Sequence, residues 1–168
     1  MKLIILVLCT LTLQPSIVFS KSNEAFKESL RVATYNIRNF DYDIRSSTPT
    51  NKLKLVETIS ELNADILAVQ EINNYNEFSR MIQANFNGKY QAVLSNCGGA
   101  HDQKLGFVYN TEKLKLVNFT EDTATSKPGQ EQQNNVCHDG SRPLAIAEFL
   151  NLRTVSYTHL RAHETRHD

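Results

Sequence analysis

The chain has 168 residues, of which 18 are basic and 18 acidic, so its formal net charge is zero. This length suits one globular domain, and a composition that is 40% hydrophobic and 21% charged excludes wholesale disorder. The balanced charge excludes a strongly cationic nucleic-acid coat protein, although it is compatible with a local site for phosphate.

The first residues have the pattern of a secretory signal peptide. Lys2 precedes an apolar run from Leu3 to Leu13, and a more polar stretch ends at the compact residue Ser20. The run is shorter than the roughly 20 residues of a membrane-spanning helix, so a stable membrane anchor is the less favoured alternative. We therefore expect residues 1–20 to be removed and the protein to be secreted or periplasmic.

The next segments predict alternating strands and helices. The β-branched and aromatic run at residues 31–37 predicts a strand, and apolar residues at helical spacing predict an amphipathic helix from Asn51. The apolar run at residues 66–69 predicts a strand that is buried on both faces and ends at Gln70 and Glu71. These three elements form a βαβ-like opening.

The remaining elements continue a mixed α/β (α+β) pattern without a linker to a second domain. A second helix is indicated up to Asn87, and a strand begins at Tyr90. Further strands are predicted at residues 105–110, 114–120, 144–150 and 152–157. The polar, aperiodic residues 121–141 predict a long loop.

Two cysteines remain after removal of the signal peptide, Cys97 and Cys137. In an oxidising compartment, and without nearby CxxC or His spacing, such a pair favours a disulfide over a metal site. The bridge would close a loop of about 40 residues and stabilise the fold by roughly 4 kcal/mol on the chain-entropy model. Two free thiols are the alternative.

The C-terminal residues look foreign to the rest of the chain. Three of the five histidines, His159, His163 and His167, fall in the last ten residues, but no cap or apolar face indicates a metal-binding helix there. The segment from Val155 to Thr165 resembles a tail found on unrelated sequences, where sequencing-adapter DNA has been read as coding. We therefore expect residues 155–168 to be a non-native tail.

Two polar side chains fall at the ends of predicted strands. Glu71 ends a buried strand, which is where open α/β sheets bind ligands, and Asn36 lies near the end of the preceding strand. If the two strands are neighbours, a carboxylate and an amide meet at one sheet edge, an arrangement that suits Mg²⁺. The alternatives are a solvated glutamate and a turn-forming asparagine.

Three segments carry a family resemblance, namely Ala33–Phe40, Asp65–Ile72 and Ser141–Ala145. In order and spacing they resemble the first part of the endonuclease/exonuclease/phosphatase superfamily, and DNase I-like secreted nucleases above all. Leu105–Leu114 is similar to a family strand that runs into a turn. The resemblance covers residues 31–154. It implies that residues 21–154 are the N-terminal part of a DNase I-like four-layer α/β sandwich, which is incomplete here.

The resemblance also implies site residues and a function. Glu71 would hold Mg²⁺, or Mn²⁺ or Ca²⁺, Asn36 would position the metal and phosphate, and Arg142 would offer its planar fork to phosphate. The alternative for Arg142 is a surface arginine before a proline. The implied activity is divalent-metal-dependent hydrolysis of phosphodiesters, with DNA the first candidate among nucleic acids and other phosphodiester substrates; the oligomeric state is open.

Departures from the family pattern predict an incomplete enzyme. Gln103 stands where DNase I-like nucleases have a carboxylate that supports a catalytic histidine, and that histidine would fall at His159, inside the suspect tail. We read His101 and His138 as solvated loop residues. The later Gly-Asp-x-Asn and Ser-Asp-His segments do not occur in these 168 residues. We therefore expect an inactive, truncated hydrolase, with a catalytically dead secreted binding module or a phosphatase or sphingomyelinase-type member as alternatives.

Overall fold

The computed structural model describes residues 29–40, 49–99, 102–122 and 142–162. The elements in chain order are β1 (Val32–Phe40), α1 (Lys52–Leu62), β2 (Ile66–Ile72), α2 (Tyr75–Asn85), β3 (Tyr90–Leu94), β4 (Lys104–Asn110), β5 (Leu114–Asp122), β6 (Leu144–Asn151) and β7 (Ser156–Ala162). The expected signal peptide, Cys137, His101, His138 and most of the predicted 121–141 loop lie outside these described residues.

One predicted strand is wrong. Residues 152–155 form a turn, and the last strand is β7, which begins at Ser156. The buried Asn151 explains the turn, because its Oδ1 accepts hydrogen bonds from the backbone N–H of Arg153 at 2.9 Å and of Thr154 at 3.2 Å. The expected foreign origin of residues 155–168 concerns where the sequence comes from, so the pairing of β7 with β6 does not test it.

Both helices have an asparagine as their N-cap residue. Asn51 Oδ1 accepts a hydrogen bond from the backbone N–H of Lys54 at 3.0 Å, and Asn74 Oδ1 accepts one from that of Glu77 at 3.1 Å. Each cap satisfies a backbone donor that the first helical turn leaves without a partner. At the other end of α1, the left-handed residue Asn63 turns the chain towards β2.

The first sheet has the strand order β1-β2-β4-β3. Strands β1 and β2 are parallel and joined by α1, which confirms the predicted βαβ opening. Strand β4 pairs antiparallel with both β2 and β3. The sheet therefore places the carboxyl ends of β1 and β2 beside the start of β4.

A second sheet, with the antiparallel order β5-β6-β7, packs against the first. One core lies between the helices and the first sheet, and it includes Leu55, Ile59, Leu67, Val69, Phe78 and Ile82. A second core lies between the sheets and includes Ile66, Phe107, Ala147 and Phe149. The layers are thus helices, first sheet and second sheet. Within the described ranges, no helix is long and apolar enough to span a membrane.

Asp65 connects several segments at the end of the first sheet where β1 and β2 begin. Its side chain is buried, accepts the backbone N–H of Arg31 at 2.9 Å, and lies 2.8 Å from Nζ of Lys113. Its backbone carbonyl accepts the N–H of Asn110 at 2.9 Å. Burial by itself would raise the pKa of Asp65, but the hydrogen bonds from Lys113 and Arg31 and their positive charges lower that pKa below its ordinary value of 3.8.

This arrangement predicts an acid-sensitive contribution to stability. Because the folded-state pKa of Asp65 is below its unfolded value, the contribution is complete above about pH 4 and is lost as the pH falls through the lowered pKa. Asp65→Asn should lower the free energy of unfolding at pH 7 by about 1.5–3 kcal/mol and flatten its pH dependence below pH 4.

Urea denaturation followed by circular dichroism at several pH values would measure both effects. Glu57→Gln is the control, because Glu57 forms an exposed pair with Lys54, and solvent screening leaves such pairs with little effect on stability. An Asp65→Asn variant with the stability and acid profile of the wild type would contradict the prediction.

Candidate metal and phosphate site

A bulge where β1 ends shapes the candidate site. Asn36 is opposite Gln70 and Phe40 is opposite Ile72, so the three residues 37–39 of β1 lie opposite the single residue Glu71 of β2. The backbone at Glu71 is left-handed, with φ of 61°. Left-handed backbone is costly for residues other than glycine and is concentrated at functional sites.

Asn36, just before the bulge, and Asn39, within it, hold the carboxylate of Glu71. Nδ2 of Asn36 donates to Oε1 of Glu71 at 2.8 Å, and the backbone N–H of Asn39 donates to Oε2 at 3.2 Å. Oδ1 of Asn36 in turn accepts the backbone N–H of Arg38 at 2.9 Å. Arg38 and Asn39 are themselves left-handed, with φ of 56° and 57°. The sheet therefore presents a half-buried carboxylate in a fixed orientation.

The carboxylate of Glu71 fits an open magnesium site. Each of its oxygens accepts one hydrogen bond and keeps a lone pair for a cation. Within the described ranges, no group of three or more His, Cys, Asp or Glu side chains could hold a metal ion. Mg²⁺ does not require such a group, because it commonly binds one or two carboxylates, several waters and substrate phosphate.

Asn36 meets Glu71 as predicted, but its observed contact is with the carboxylate. Its amide nitrogen orients Glu71, and its amide oxygen is bonded to the backbone of Arg38. Such contacts fix a ligand in position and raise the affinity of a metal site. A direct bond from Asn36 to a metal stays a prediction.

Arg142 is connected to the same site through Gln103. Nη2 of Arg142, just before β6, donates to Oε1 of Gln103 at 2.6 Å. Nε2 of Gln103, just before β4, donates to Oδ1 of Asn39. Hydrogen bonds therefore connect Glu71 on the first sheet, through Asn39 and Gln103, to Arg142 at the start of the second sheet.

The loop before Gln103 is closely packed and contains Cys97. The backbone N–H of Gln103 donates to the carbonyl of Gly98 at 2.8 Å, and a Cβ on Gly98 would lie 2.3 Å from the backbone carbon of Asp102. Cys97 is buried, and its N–H donates to Oε2 of Glu121 at 3.1 Å. Cys137 lies outside the described residues, so the pairing of Cys97 with it stays a prediction.

His159 lies on the outer face of the second sheet. Its Nε2 is 3.3 Å from Oε1 of Glu148, its partner on β6. The neighbours of Glu148 on that strand, Ala147 and Phe149, point to the opposite face and are fully buried between the sheets. The position of the imidazole accordingly gives no support to a catalytic role for His159.

Sequence reasoning found Asn36, Glu71 and Arg142, and the structure connects all three. It did not assign Asn39 a role, although Asn39 contacts both Glu71 and Gln103. One signal in the sequence was available: asparagine adopts left-handed backbone more readily than most residues, and Asn39 follows the predicted site residue Asn36 closely. Gln103 stood out only as a departure from the family pattern.

The comparisons with known proteins rest on structure, because the sequence matches no family model and no curated protein. An endonuclease/exonuclease/phosphatase from Bacteroides vulgatus has 18% identity and a TM-score of 0.59, covering 79% of this chain and 51% of that one. The human Nocturnin catalytic domain with bound sulfate anion has 14% identity and a TM-score of 0.59, covering 79% and 48%. A mannosyl-6-phosphatase from Bacteroides thetaiotaomicron has 17% identity and a TM-score of 0.56, covering 79% and 50%.

The chain spans about half the length of these structures. The described residues form two facing sheets with helices on the first, and the structural match over 79% of the chain confirms the fold that the three sequence segments predicted. The chain therefore has the fold of the endonuclease/exonuclease/phosphatase structures, in the form of an incomplete sandwich.

Proposed function

We propose that this chain is the cation-binding part of a secreted, divalent-metal-dependent phosphodiester hydrolase, with DNA as the first candidate substrate. The observation that supports the proposal best is the carboxylate of Glu71, which Asn36 and Asn39 hold at the end of a buried strand. Mg²⁺ is the proposed ion, with Mn²⁺ and Ca²⁺ as substitutes, because a single oriented carboxylate with room for water and phosphate suits these hard cations.

The names of the similar structures agree with chemistry on phosphate esters. One is a mannosyl-6-phosphatase, and the Nocturnin structure contains a sulfate anion. The chain covers only about half of each, so the activity of the whole protein is part of the proposal. A formal net charge of zero does not distinguish DNA from other phosphodiesters.

Each residue of the site has a proposed task. Glu71 holds the cation, Asn36 orients Glu71, and Arg142 binds a phosphate oxygen through its guanidinium. When bound, the ion supplies Lewis-acid polarisation of the phosphoryl oxygen. In the hydrolysis, water oxygen forms a bond to phosphorus, the bond to the leaving ester oxygen breaks, and the water proton passes to a base.

The base and further metal ligands are proposed to come from sequence beyond this chain. The 168 residues contain no Gly-Asp-x-Asn segment, and His159 lies against Glu148 on the outer face of the second sheet. We therefore expect residues 1–168 alone to be inactive. The same observations favour a second candidate, a secreted binding module that keeps the fold and the cation site without catalysis.

The test compares two proteins, residues 1–168 and the product of a reading frame resequenced and extended beyond Thr154. Plasmid DNA and bis(p-nitrophenyl) phosphate serve as substrates, with Mg²⁺ or with EDTA. We expect Mg²⁺-dependent cleavage by the extended protein, loss of cleavage in its Glu71→Ala variant, and none by residues 1–168. Cleavage by residues 1–168 that disappears in Glu71→Ala would refute the expected inactivity. A genuine stop codon near Thr154 would favour the binding module.

A further inference from the structure

We propose that the side chains of Asn39 and Gln103 form an amide bridge that positions both the cation-binding carboxylate and the phosphate-binding arginine. The inference rests on the proposed function of that site. The bridge consists of Oδ1 of Asn39 accepting from Nε2 of Gln103, whose Oε1 accepts from Nη2 of Arg142 at 2.6 Å. At its other end, the backbone N–H of Asn39 donates to Glu71 at 3.2 Å.

The chemistry of arginine fixes the direction of every hydrogen bond in the bridge. A guanidinium has donors and no acceptor, so the oxygen of the Gln103 amide must face Arg142. The nitrogen of the same amide then faces Asn39 and requires an acceptor, which is Oδ1 of Asn39. One arginine thereby sets the orientation of two amides.

Burial holds the Gln103 end of the bridge in place. Gln103 is only 8% exposed, and a buried amide without hydrogen-bond partners costs free energy. Its backbone is also held, through the 2.8 Å hydrogen bond from its N–H to the carbonyl of Gly98. Gln103 is therefore constrained on both sides, and through it Arg142 is held in one place relative to Asn39.

An amide suits position 103 better than a carboxylate. A carboxylate would accept from Arg142, but it has no hydrogen to donate, so Asn39 would have to reverse its amide and act as the donor. The carboxylate would also add a negative charge beside the guanidinium and so weaken the binding of phosphate. The neutral amide of Gln103 accepts from Arg142 and donates to Asn39 without adding charge. The assigned role is positioning, since Gln103 acts through its neighbours.

Two probes test the bridge on the 168-residue chain without any assay of activity. Mn²⁺ binding is measured from the electron paramagnetic resonance signal of the free ion, and inorganic phosphate binding from ³¹P NMR titration. Gln103→Leu removes both hydrogen bonds of the amide. We expect it to weaken Mn²⁺ binding by about tenfold, because Asn39, whose N–H orients Glu71, loses the hydrogen bond that holds its own side chain. Phosphate binding should weaken by about three- to tenfold, the effect of one lost hydrogen bond.

Gln103→Glu separates the two ligands. Asn39 can rotate its amide and donate to the new carboxylate, so the carboxylate of Glu71 stays in place and Mn²⁺ binding should be unchanged. Phosphate binding should fall by at least the factor seen in Gln103→Leu, because the new charge neutralises Arg142. A purely structural role for Gln103 does not predict this split between cation and anion.

Gln91→Leu is the matched control. Gln91, on β3, also makes a side-chain hydrogen bond, and its partner at 2.8 Å is Tyr109, which lies near the opposite end of β4 from Gln103. Gln91→Leu should leave the affinities for Mn²⁺ and phosphate unchanged.

If circular dichroism shows that Gln103→Leu does not fold, Asn39→Gly replaces it as the test variant. Asn39 is exposed and left-handed, so glycine suits its backbone and keeps its N–H to Glu71. This variant should weaken the binding of both Mn²⁺ and phosphate, by about threefold for phosphate.

The outcomes distinguish the bridge from the proposed function. Wild type that binds both probes, with Gln103→Leu or its replacement Asn39→Gly binding them equally well, would overturn the bridge alone. Equal losses of Mn²⁺ and phosphate binding in Gln103→Glu would also overturn it. Wild type that binds neither probe would contradict the proposed function, and the role assigned to the bridge would fall with it.

Discussion

Replacement of Glu71 by Gln is expected to weaken Mn²⁺ binding by at least about a hundredfold, because contacts one step removed from a metal already contribute 10- to 100-fold. The variant removes the negative charge and keeps the size of the side chain. Its remaining oxygen can still accept one of the hydrogen bonds from Asn36 and Asn39, so the bulge should persist. A titration that follows the electron paramagnetic resonance signal of free Mn²⁺ measures the loss of affinity. Competition with Mg²⁺ then gives the affinity for the proposed ion.

Glu57→Gln is the control for the change in charge. Glu57 lies on α1 and forms an exposed ion pair with Lys54 at 3.0 Å. Any general effect of removing a carboxylate from the protein appears in this variant as well. Equal Mn²⁺ affinities for the Glu71 and Glu57 variants would show that the cation binds elsewhere.

Phe107→Ala is expected to lower the free energy of unfolding by about 3–5 kcal/mol, the usual range for deleting a buried phenylalanine. Phe107 is 1% exposed and lies between the two sheets. Its ring makes edge contacts with Phe149 at 6.1 Å and Phe119 at 6.5 Å between centroids. These contacts join β4 of the first sheet to β5 and β6 of the second. Chemical denaturation followed by far-ultraviolet circular dichroism measures the loss.

Val117→Ala is the matched control for the loss of an apolar side chain. Val117 lies on β5 and is 47% exposed, so the same kind of truncation should change stability by no more than about 0.5 kcal/mol. Equal stabilities of the Phe107 and Val117 variants would mean that the two sheets do not pack as described. A large loss for Phe107 alone supports the facing arrangement.

The first sheet and half of the site could be predicted because local patterns determine them. The continuous apolar run before Glu71 is typical of a strand buried on both faces, and the helical spacing after Asn51 predicts the crossover between parallel strands. Parallel neighbours then bring the ends of β1 and β2 together. The meeting of Asn36 and Glu71 follows from these two facts.

The bridge could not be predicted, because it depends on contacts between distant parts of the chain. Asn39 and Gln103 are 64 residues apart in sequence, and Gln103 and Arg142 are 39 apart. Their meeting depends on a bulge of non-glycine residues and on a loop that is fixed by the pairing of β4. Neither feature has a local pattern in the sequence, so the difference from the family's carboxylate is all that marks Gln103 there.

The turn before β7 shows the same limit on a smaller scale. Apolar and β-branched residues at positions 152–157 favoured a strand, but the buried amide of Asn151 bonds to the backbone N–H groups that follow it. Side chains of this kind compete with sheet pairing for backbone donors. Whether they succeed depends on burial, which a single sequence does not reveal.

The left-handed backbone at Arg38, Asn39 and Glu71 has a consequence for protein engineering. Residues other than glycine in this conformation each cost of order 1–3 kcal/mol, and glycine would relieve that cost. At Glu71, however, glycine would also delete the carboxylate. Selection for thermal stability and selection for the site therefore act in opposite directions at that position, so a stabilised design of this fold should leave it unchanged.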